Sequence, residues 1–238
     1  MAADSSVRLV IHGASGRMGQ SLLRLAGERP ELTVVAAVSR RVESRAIDGI
    51  PQFAVTELGG LPPFDVAIDF SLPEGFDGIL GACVERQAAL VSGTTGLAPE
   101  QRQAIAVAAT RIPVLWAANF SLGVAVLSDL VERAATALRG WDCDIVESHH
   151  VHKKDAPSGT ALALGAAAER GGAQPRYASL RAGDIVGEHL VQFTTLGERI
   201  ELVHRATNRD IFARGALHAA SRLAGRAPGR YQLRDLLD

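Results

Sequence analysis

The sequence predicts an α/β fold in two parts: a parallel sheet with helices on both faces, then a smaller α+β domain. Three observations carry this. Short apolar strands alternate with helices over residues 1–120, which implies parallel strands joined by helical crossovers. A glycine-rich turn joins the first strand to the first helix, the punctuation of a Rossmann-type nucleotide-binding domain. Late in the chain, two alternating runs flank Leu196-Gly197-Glu198, the pattern of an antiparallel hairpin.

Each element follows from its own pattern. Residues 7–11 form an apolar run broken only by Arg8, suited to a strand buried on both faces. A helix over residues 18–28 carries Met18, Leu22, Leu23, Leu25 and Ala26 as its apolar positions. Residues 32–38 and 66–70 read as strands and 75–85 as a helix. Strand 89–92, helix 99–110 and strand 113–116 continue the rhythm. The spacing then changes. A longer amphipathic helix covers 122–138, a strand 144–148 and an alanine-rich helix 160–169. The hairpin strands occupy 188–195 and 199–206, and a last helix runs over 211–223, ending near Gly225. The expected division is residues 1–120 with 209–238 for the dinucleotide-binding domain and 121–208 for the second, the last helix packing back on the first domain. There is no repeat, low-complexity tract or heptad pattern.

Composition narrows the function. In 238 residues, 25 basic side chains face 26 acidic ones, for a net charge of −1. That balance supplies no field for nucleic acid or an anionic membrane, so neither is expected as a partner. Any bound anion must meet a local cluster. Cys83 and Cys143 lie far apart and read as buried, reduced thiols of a cytoplasmic protein. The N-terminal residues show no basic region followed by an apolar core, so no secretory signal is expected. Residues 112–128 carry no charge, but Pro113, Asn119, Ser121 and Gly123 interrupt them. A buried strand leading into a helix explains that stretch better than a membrane span.

Gly13-Ala14-Ser15-Gly16-Arg17-Met18-Gly19 has G-x-x-G-x-x-G spacing between strand and helix. Glycines let the backbone approach a pyrophosphate, and the helix N-terminus offers free N–H groups and a positive dipole end. The second strand ends at Val38-Ser39-Arg40-Arg41. An acidic residue here would hold the ribose 2′-hydroxyl of NADH, whereas an arginine receives the 2′-phosphate of NADPH. Ser39 is not acidic, so NADPH is expected to be preferred over NADH, with Arg40 the first candidate and Arg17 assisting. Gly93-Thr94-Thr95-Gly96 and Ala117-Ala118-Asn119-Phe120 follow two further strands. Ligands of open α/β sheets bind at such carboxyl ends.

The most informative stretch runs from Glu147 to Thr160, Glu-Ser-His-His-Val-His-Lys-Lys-Asp-Ala-Pro-Ser-Gly-Thr. Asp155 or Ser158 can cap the helix that follows, leaving the N–H groups of Gly159 and Thr160 as an anion site. Lys153 adds a cation, and His149 and His150 add groups that titrate near neutral pH. Together they suit a polar dianion that receives a hydride and a proton. No metal is expected, because adjacent lysines repel a dication and no cysteine or His-x-x-x-His helix accompanies the histidines.

This block resembles the signature of the 4-hydroxy-tetrahydrodipicolinate (dihydrodipicolinate) reductase family. The glycine loop, Gly93–Gly96, Ala117–Ser121 and the segment Arg181-Ala-Gly-Asp-Ile-Val-Gly-Glu-His189 are similar as well, in the same order. The resemblance implies an NAD(P)H-dependent reduction of 4-hydroxy-tetrahydrodipicolinate in diaminopimelate and lysine biosynthesis. It implies His149 as general acid/base, Lys153 as proton donor, and His150, Gly159 and Thr160 as carboxylate holders. The cofactor would be held by Gly13, Ala14, Ser15, Gly16, Arg17 and Met18, with Arg40, Gly93, Thr94, Thr95, Ala117, Ala118, Asn119 and Phe120. It further implies a homo-oligomer, tetramer or dimer, built through the second domain's sheet. The chain departs from the family at Ser39, and again between residues 172 and 179, where it is short.

Overall fold

The computed structural model describes residues 6–42 and 44–237. In chain order the first stretch holds β1 (Val7–His12), α1 (Arg17–Ala26), β2 (Leu32–Ser39), β3 (Ala46–Ile47), β4 (Ile50–Ala54), β5 (Val66–Asp69), α2 (Pro73–Arg86), β6 (Ala89–Ser92), α3 (Pro99–Ala108) and β7 (Pro113–Trp116). Then follow α4 (Leu122–Ala137), β8 (Asp142–His149), α5 (Gly159–Arg170), β9 (Pro175–Arg181), β10 (Gly187–Thr195) and β11 (Glu198–Ala206). The chain closes with α6 (Asp210–Leu223) and β12 (Gly229–Tyr231). Two compact units result. One runs to Phe120 and resumes at Phe212, and the other is Ser121–Ile211. The second division falls within the first turn of α6, three residues beyond the 208/209 boundary read from the sequence. Among the described residues, no helix is long and apolar enough to cross a membrane.

The first unit is built on one sheet in the order β12-β7-β6-β5-β1-β2-β4-β3. Every pairing is parallel except β3 with β4. Its central strands are apolar runs covered on both faces: Leu9, Val10, Ile11, Val66, Ala67, Ile68, Leu90 and Val91 are all fully buried. Pro73 and Pro99 open α2 and α3 at positions where a missing N–H costs nothing. Phe76, Ile79, Leu80 and Ile105 from these helices pack against Val10, Ala67 and Leu90.

The second unit is a four-stranded sheet, β11-β10-β8-β9, antiparallel except for β8 with β9. Alternation decides its faces. Cys143, Ile145, Glu147 and His149 of β8 and Gly187, His189, Val191 and Phe193 of β10 are buried, while their neighbours are less so. Leu127, Val131 and Ala135 of α4 and Ala161, Leu164 and Ala168 of α5 cover the apolar part of that face. Along both strands the same face changes from apolar to polar.

Candidate active site

The polar end of the second unit's buried face is organised around Glu147. Its side chain is completely buried. Oε2 lies 2.5 Å from His149 Nδ1 and accepts from Arg181 Nη1 at 2.9 Å. Oε1 accepts from Arg181 Nη2 at 2.8 Å and from the Ser158 N–H at 3.2 Å. Burial opposes ionisation of this carboxyl, but the donors Arg181, Ser179 and His149 outweigh it and hold the group down at about 2. Arg181 also donates to the carbonyls of Lys153 at 3.3 Å, Asp155 at 2.5 Å and Leu180 at 2.7 Å.

Ser158, not Asp155, caps α5: its Oγ accepts from the Ala161 N–H at 3.2 Å. Asp155 instead pairs with Lys153 Nζ at 2.8 Å, in an arrangement where the aspartate is 58% exposed. Gly159 and Thr160 form the first turn of α5, which contains no acidic residue. His150 stands 3.2 Å from Arg209 Nη2. Burial, followed by the charges of Arg209, His152, His149 and Lys153, pushes His150 toward its neutral form. Arg209 and Arg181 were given no role by sequence spacing. Arg181 lies 34 positions from Glu147, and only the β8–β9 pairing brings them together.

Two further histidines extend the row. His189 faces Glu147 across β8–β10, and His204 faces His189 across β10–β11. Ser158 Oγ sits 3.2 Å from His189 Nε2, and Ser121 Oγ, the N-cap of α4, sits 3.3 Å from His204 Nε2. Each cap therefore ties a helix to a strand. Burial first, then the charges of His149 and His204, lowers His189 from 6.5 to about 4. In that window the unfolded chain holds more protons than the folded one. Stability is therefore full above about pH 6.5 and falls as the pH drops toward 4, before the Glu147 contribution is lost below its ordinary 4.5. Thermal unfolding should show a clearly lower Tm at pH 5 than at pH 7.5. An unchanged Tm would remove His189 as a source of acid lability.

In the first unit, the glycine loop leaves β1 at Gly13, whose φ is +82°. A Cβ there would lie 2.5 Å from the Phe70 carbonyl oxygen, so the turn needs glycine on both counts. Gly16 is the N-cap of α1 and makes no side-chain cap. Ser15, Gly16 and Arg17 are exposed, Met18 is half-buried and Ala14 is buried. Ser39, at the position read for cofactor choice, is buried and its Oγ accepts from the Ser15 N–H at 3.1 Å. It therefore braces the loop. Arg40 follows it at the exposed end of β2.

The other strand ends are joined by Asp69, which is fully buried. It accepts from His12 Nδ1 at 2.8 Å, Ser92 Oγ at 2.8 Å, Thr94 Oγ1 at 2.8 Å and the Ser71 N–H at 3.1 Å. Burial raises its proton affinity, but these donors prevail and keep the carboxyl below its ordinary range. Thr94 is thus committed below the loop, and its carbonyl accepts from Trp116 Nε1 at 2.8 Å. Thr95 and Ala118 are exposed, Gly93, Ala117 and Asn119 half-buried. The Phe120 ring is buried and stacks edge-on against Phe70 at 5.4 Å. Ala14, Thr94 and Phe120 can therefore offer a ligand only backbone. Cys83 and Cys143 are buried free thiols, and burial pushes Cys143 up to about 11.

Comparison with known proteins settles the family. The description "Dihydrodipicolinate reductase, N-terminus" matches residues 7–120, and "Dihydrodipicolinate reductase, C-terminus" matches residues 123–237. The chain belongs to the dihydrodipicolinate reductase family. The reductase of Stenotrophomonas maltophilia (strain K279a), named 4-hydroxy-tetrahydrodipicolinate reductase, is 75% identical over 98% of this chain and 99% of its own. That of Xanthomonas campestris pv. campestris (strain B100) is 68% identical over 98% of both chains. A dipicolinate-bound dihydrodipicolinate reductase from Paenisporosarcina sp. TG-14 shares the fold with a TM-score of 0.82 at 21% identity, covering 97% of this chain and 99% of that one. The reductase family thus accounts for both units and for the fold that the sequence predicts.

Proposed function

We infer that this reductase converts 4-hydroxy-tetrahydrodipicolinate to tetrahydrodipicolinate, in the biosynthesis of diaminopimelate and lysine. The net change adds a hydride and a proton and releases water. One observation supports the reading above the others: a single guanidinium, Arg181, fastens His149 through Glu147 and also the backbone of Lys153 and Asp155. A proton-transfer group, a cation and a helix N-terminus are thereby held in one frame, and a small dicarboxylate needs all three.

Within that frame, Gly159 and Thr160 present α5 N–H groups to one carboxylate, assisted by the dipole. His150, pushed toward its neutral form by burial and then by the positive charges around it, takes up a proton more readily as an anion arrives and so tightens on it. Lys153 exchanges the exposed Asp155 partner for a substrate carboxylate at little cost, since exposed ion pairs are worth little. It then donates a proton to the reduced ring, while His149 acts as general acid/base on the departing hydroxyl. A nicotinamide cofactor, when bound, supplies the hydride. The residues of the first unit fit such a group: a cap-free α1 N-terminus without acid in its first turn lies behind a glycine loop braced by Ser39.

The loop Gly13–Met18, Arg40, residues 93–95 and residues 117–120 are the proposed cofactor contacts, with NADPH preferred over NADH. Arg40→Ala should raise the KM for NADPH about tenfold or more and leave that for NADH nearly unchanged. Equal losses with both would remove the 2′-phosphate role. The proposed assembly is a homotetramer in the cytoplasm, joined through the open face of the second sheet. There Ala178, Val146, Leu190 and Val203 form one cross-strand apolar row, and Val203 is 41% exposed. Sedimentation measures the assembly directly. The reaction is tested by NADPH absorbance with enzymatically generated substrate, and wild-type protein that consumes no NADPH in that assay would overturn the reading.

A further inference from the structure

Glu147 and Arg181 transfer no proton and hold no carboxylate in the scheme above, yet His149, the cap of α5 and the 153–155 backbone are all fastened to them. A carboxylate accepts hydrogen bonds and donates none. His149 Nδ1, 2.5 Å from Glu147 Oε2, must therefore carry a proton, and Nε2 is left to exchange one. The same carboxylate receives the N–H of Ser158, the residue that caps α5. Arg181 closes a two-pronged pair on Glu147 at 2.9 and 2.8 Å, which offsets the cost of a buried charge. Two of its other hydrogen bonds reach the carbonyls of Lys153 and Asp155, so the loop carrying the cation is sewn to the same centre.

We propose that the Glu147–Arg181 pair is the positioning element of the reaction: it fixes the tautomer of His149 and sets Lys153 and the α5 N-terminus in register with that ring. Glu147 acts through His149, and Arg181 through Glu147 and the 153–155 backbone. The proposal rests on the roles given above to His149 and Lys153.

The pair can be tested in the full-length protein with NADPH and substrate. Glu147→Gln keeps the shape of the side chain but lets its amide either donate or accept. It should lower kcat by about 10²-fold or more while KM moves less than threefold. The double variant Glu147→Gln/His149→Gln should be no slower than His149→Gln alone, because both act on one ring. Arg181→Lys keeps the charge but loses the fork, and should raise the KM for the dicarboxylate. Nitrogen-15 NMR of the imidazoles should show wild-type His149 protonated at Nδ1 when neutral, and a mixture of tautomers in Glu147→Gln.

Near-normal kcat in Glu147→Gln, multiplied losses in the double variant, or a neutral His149 protonated at Nε2 in the wild type would each overturn the proposal. The wild-type tautomer decides the matter even if a variant fails to fold. It also needs no substrate, so it is separate from the turnover assay that tests the reaction itself.

Discussion

Lys153→Ala is expected to lower kcat by about 10³-fold, within the range that general acid–base groups contribute, and kcat/KM by more, because KM rises as well. The side chain is proposed both to hold a carboxylate and to deliver the proton, so its loss weakens ground state and transition state alike. His149→Gln should separate the two effects. It removes proton exchange but leaves the α5 N-terminus and Lys153 in place, so kcat should fall by about 10²-fold or more with a smaller change in KM. Pyridine-2,6-dicarboxylate, a planar mimic of the product, should compete with substrate in the wild type and bind poorly to Lys153→Ala. Both variants should bind NADPH normally, since its proposed contacts lie in the other unit. Steady-state kinetics and inhibitor titration check each point. Near wild-type turnover in both variants would reduce the histidine–lysine segment to a solvated loop.

Gly215→Ala should give the largest loss of stability for a single methyl group. Gly215 lies in α6, and a Cβ there would sit 1.7 Å from the Phe120 carbonyl oxygen. That neighbour is backbone and cannot swing aside, so helix and strand-end loop must separate. Overpacking of this kind costs about 3 kcal/mol, which lowers Tm by roughly 6–12 °C in a chain of this size. Gly81→Ala in α2 is the control. Its Cβ would meet nothing within 4 Å, and the same change there should stabilise by about 0.4–1 kcal/mol. Thermal unfolding of the pair decides. Equal Tm values would show that the close approach at Gly215 is not maintained in solution.

What the sequence made legible divides along physical lines. β1, β5, β6 and β7 are buried apolar runs, and the β10–β11 hairpin announces itself through alternation about Leu196-Gly197. Their pattern is a direct print of burial. β9 leaves no pattern because none of the residues Pro175–Arg181 is fully buried; it is an edge strand held by backbone bonds to β8, and edges need no apolar pattern. The two-residue β3 and three-residue β12 are too short to show a period at all. The same logic applies to the site. His149, Lys153, Gly159 and Thr160 are neighbours in sequence and could be read together. Arg181 and His204 reach the cluster only through strand pairing, which spacing along the chain does not reveal. Ser39 was legible as a non-acidic residue at a choice point, but its hydrogen bond to Ser15 belongs to the fold.

The Asp69 carboxylate bears on how cofactor use can change over evolutionary time. Four donors converge on it, two from the ends of β1 and β6 and two from the loops that follow β5 and β6. A platform knitted from below in this way stands arranged before any dinucleotide arrives, so little ordering is left for binding to accomplish. The exposed side chains at its rim, Arg17 and Arg40, belong to none of those bonds. With Arg17 and Arg40 as the proposed cofactor contacts, substitutions at these rim positions would retune which dinucleotide is taken without touching the bonds to Asp69, while changes at His12, Ser92 or Thr94 would disturb those bonds themselves. On that proposal, drift between phosphorylated and unphosphorylated cofactors would be uncoupled from drift in stability.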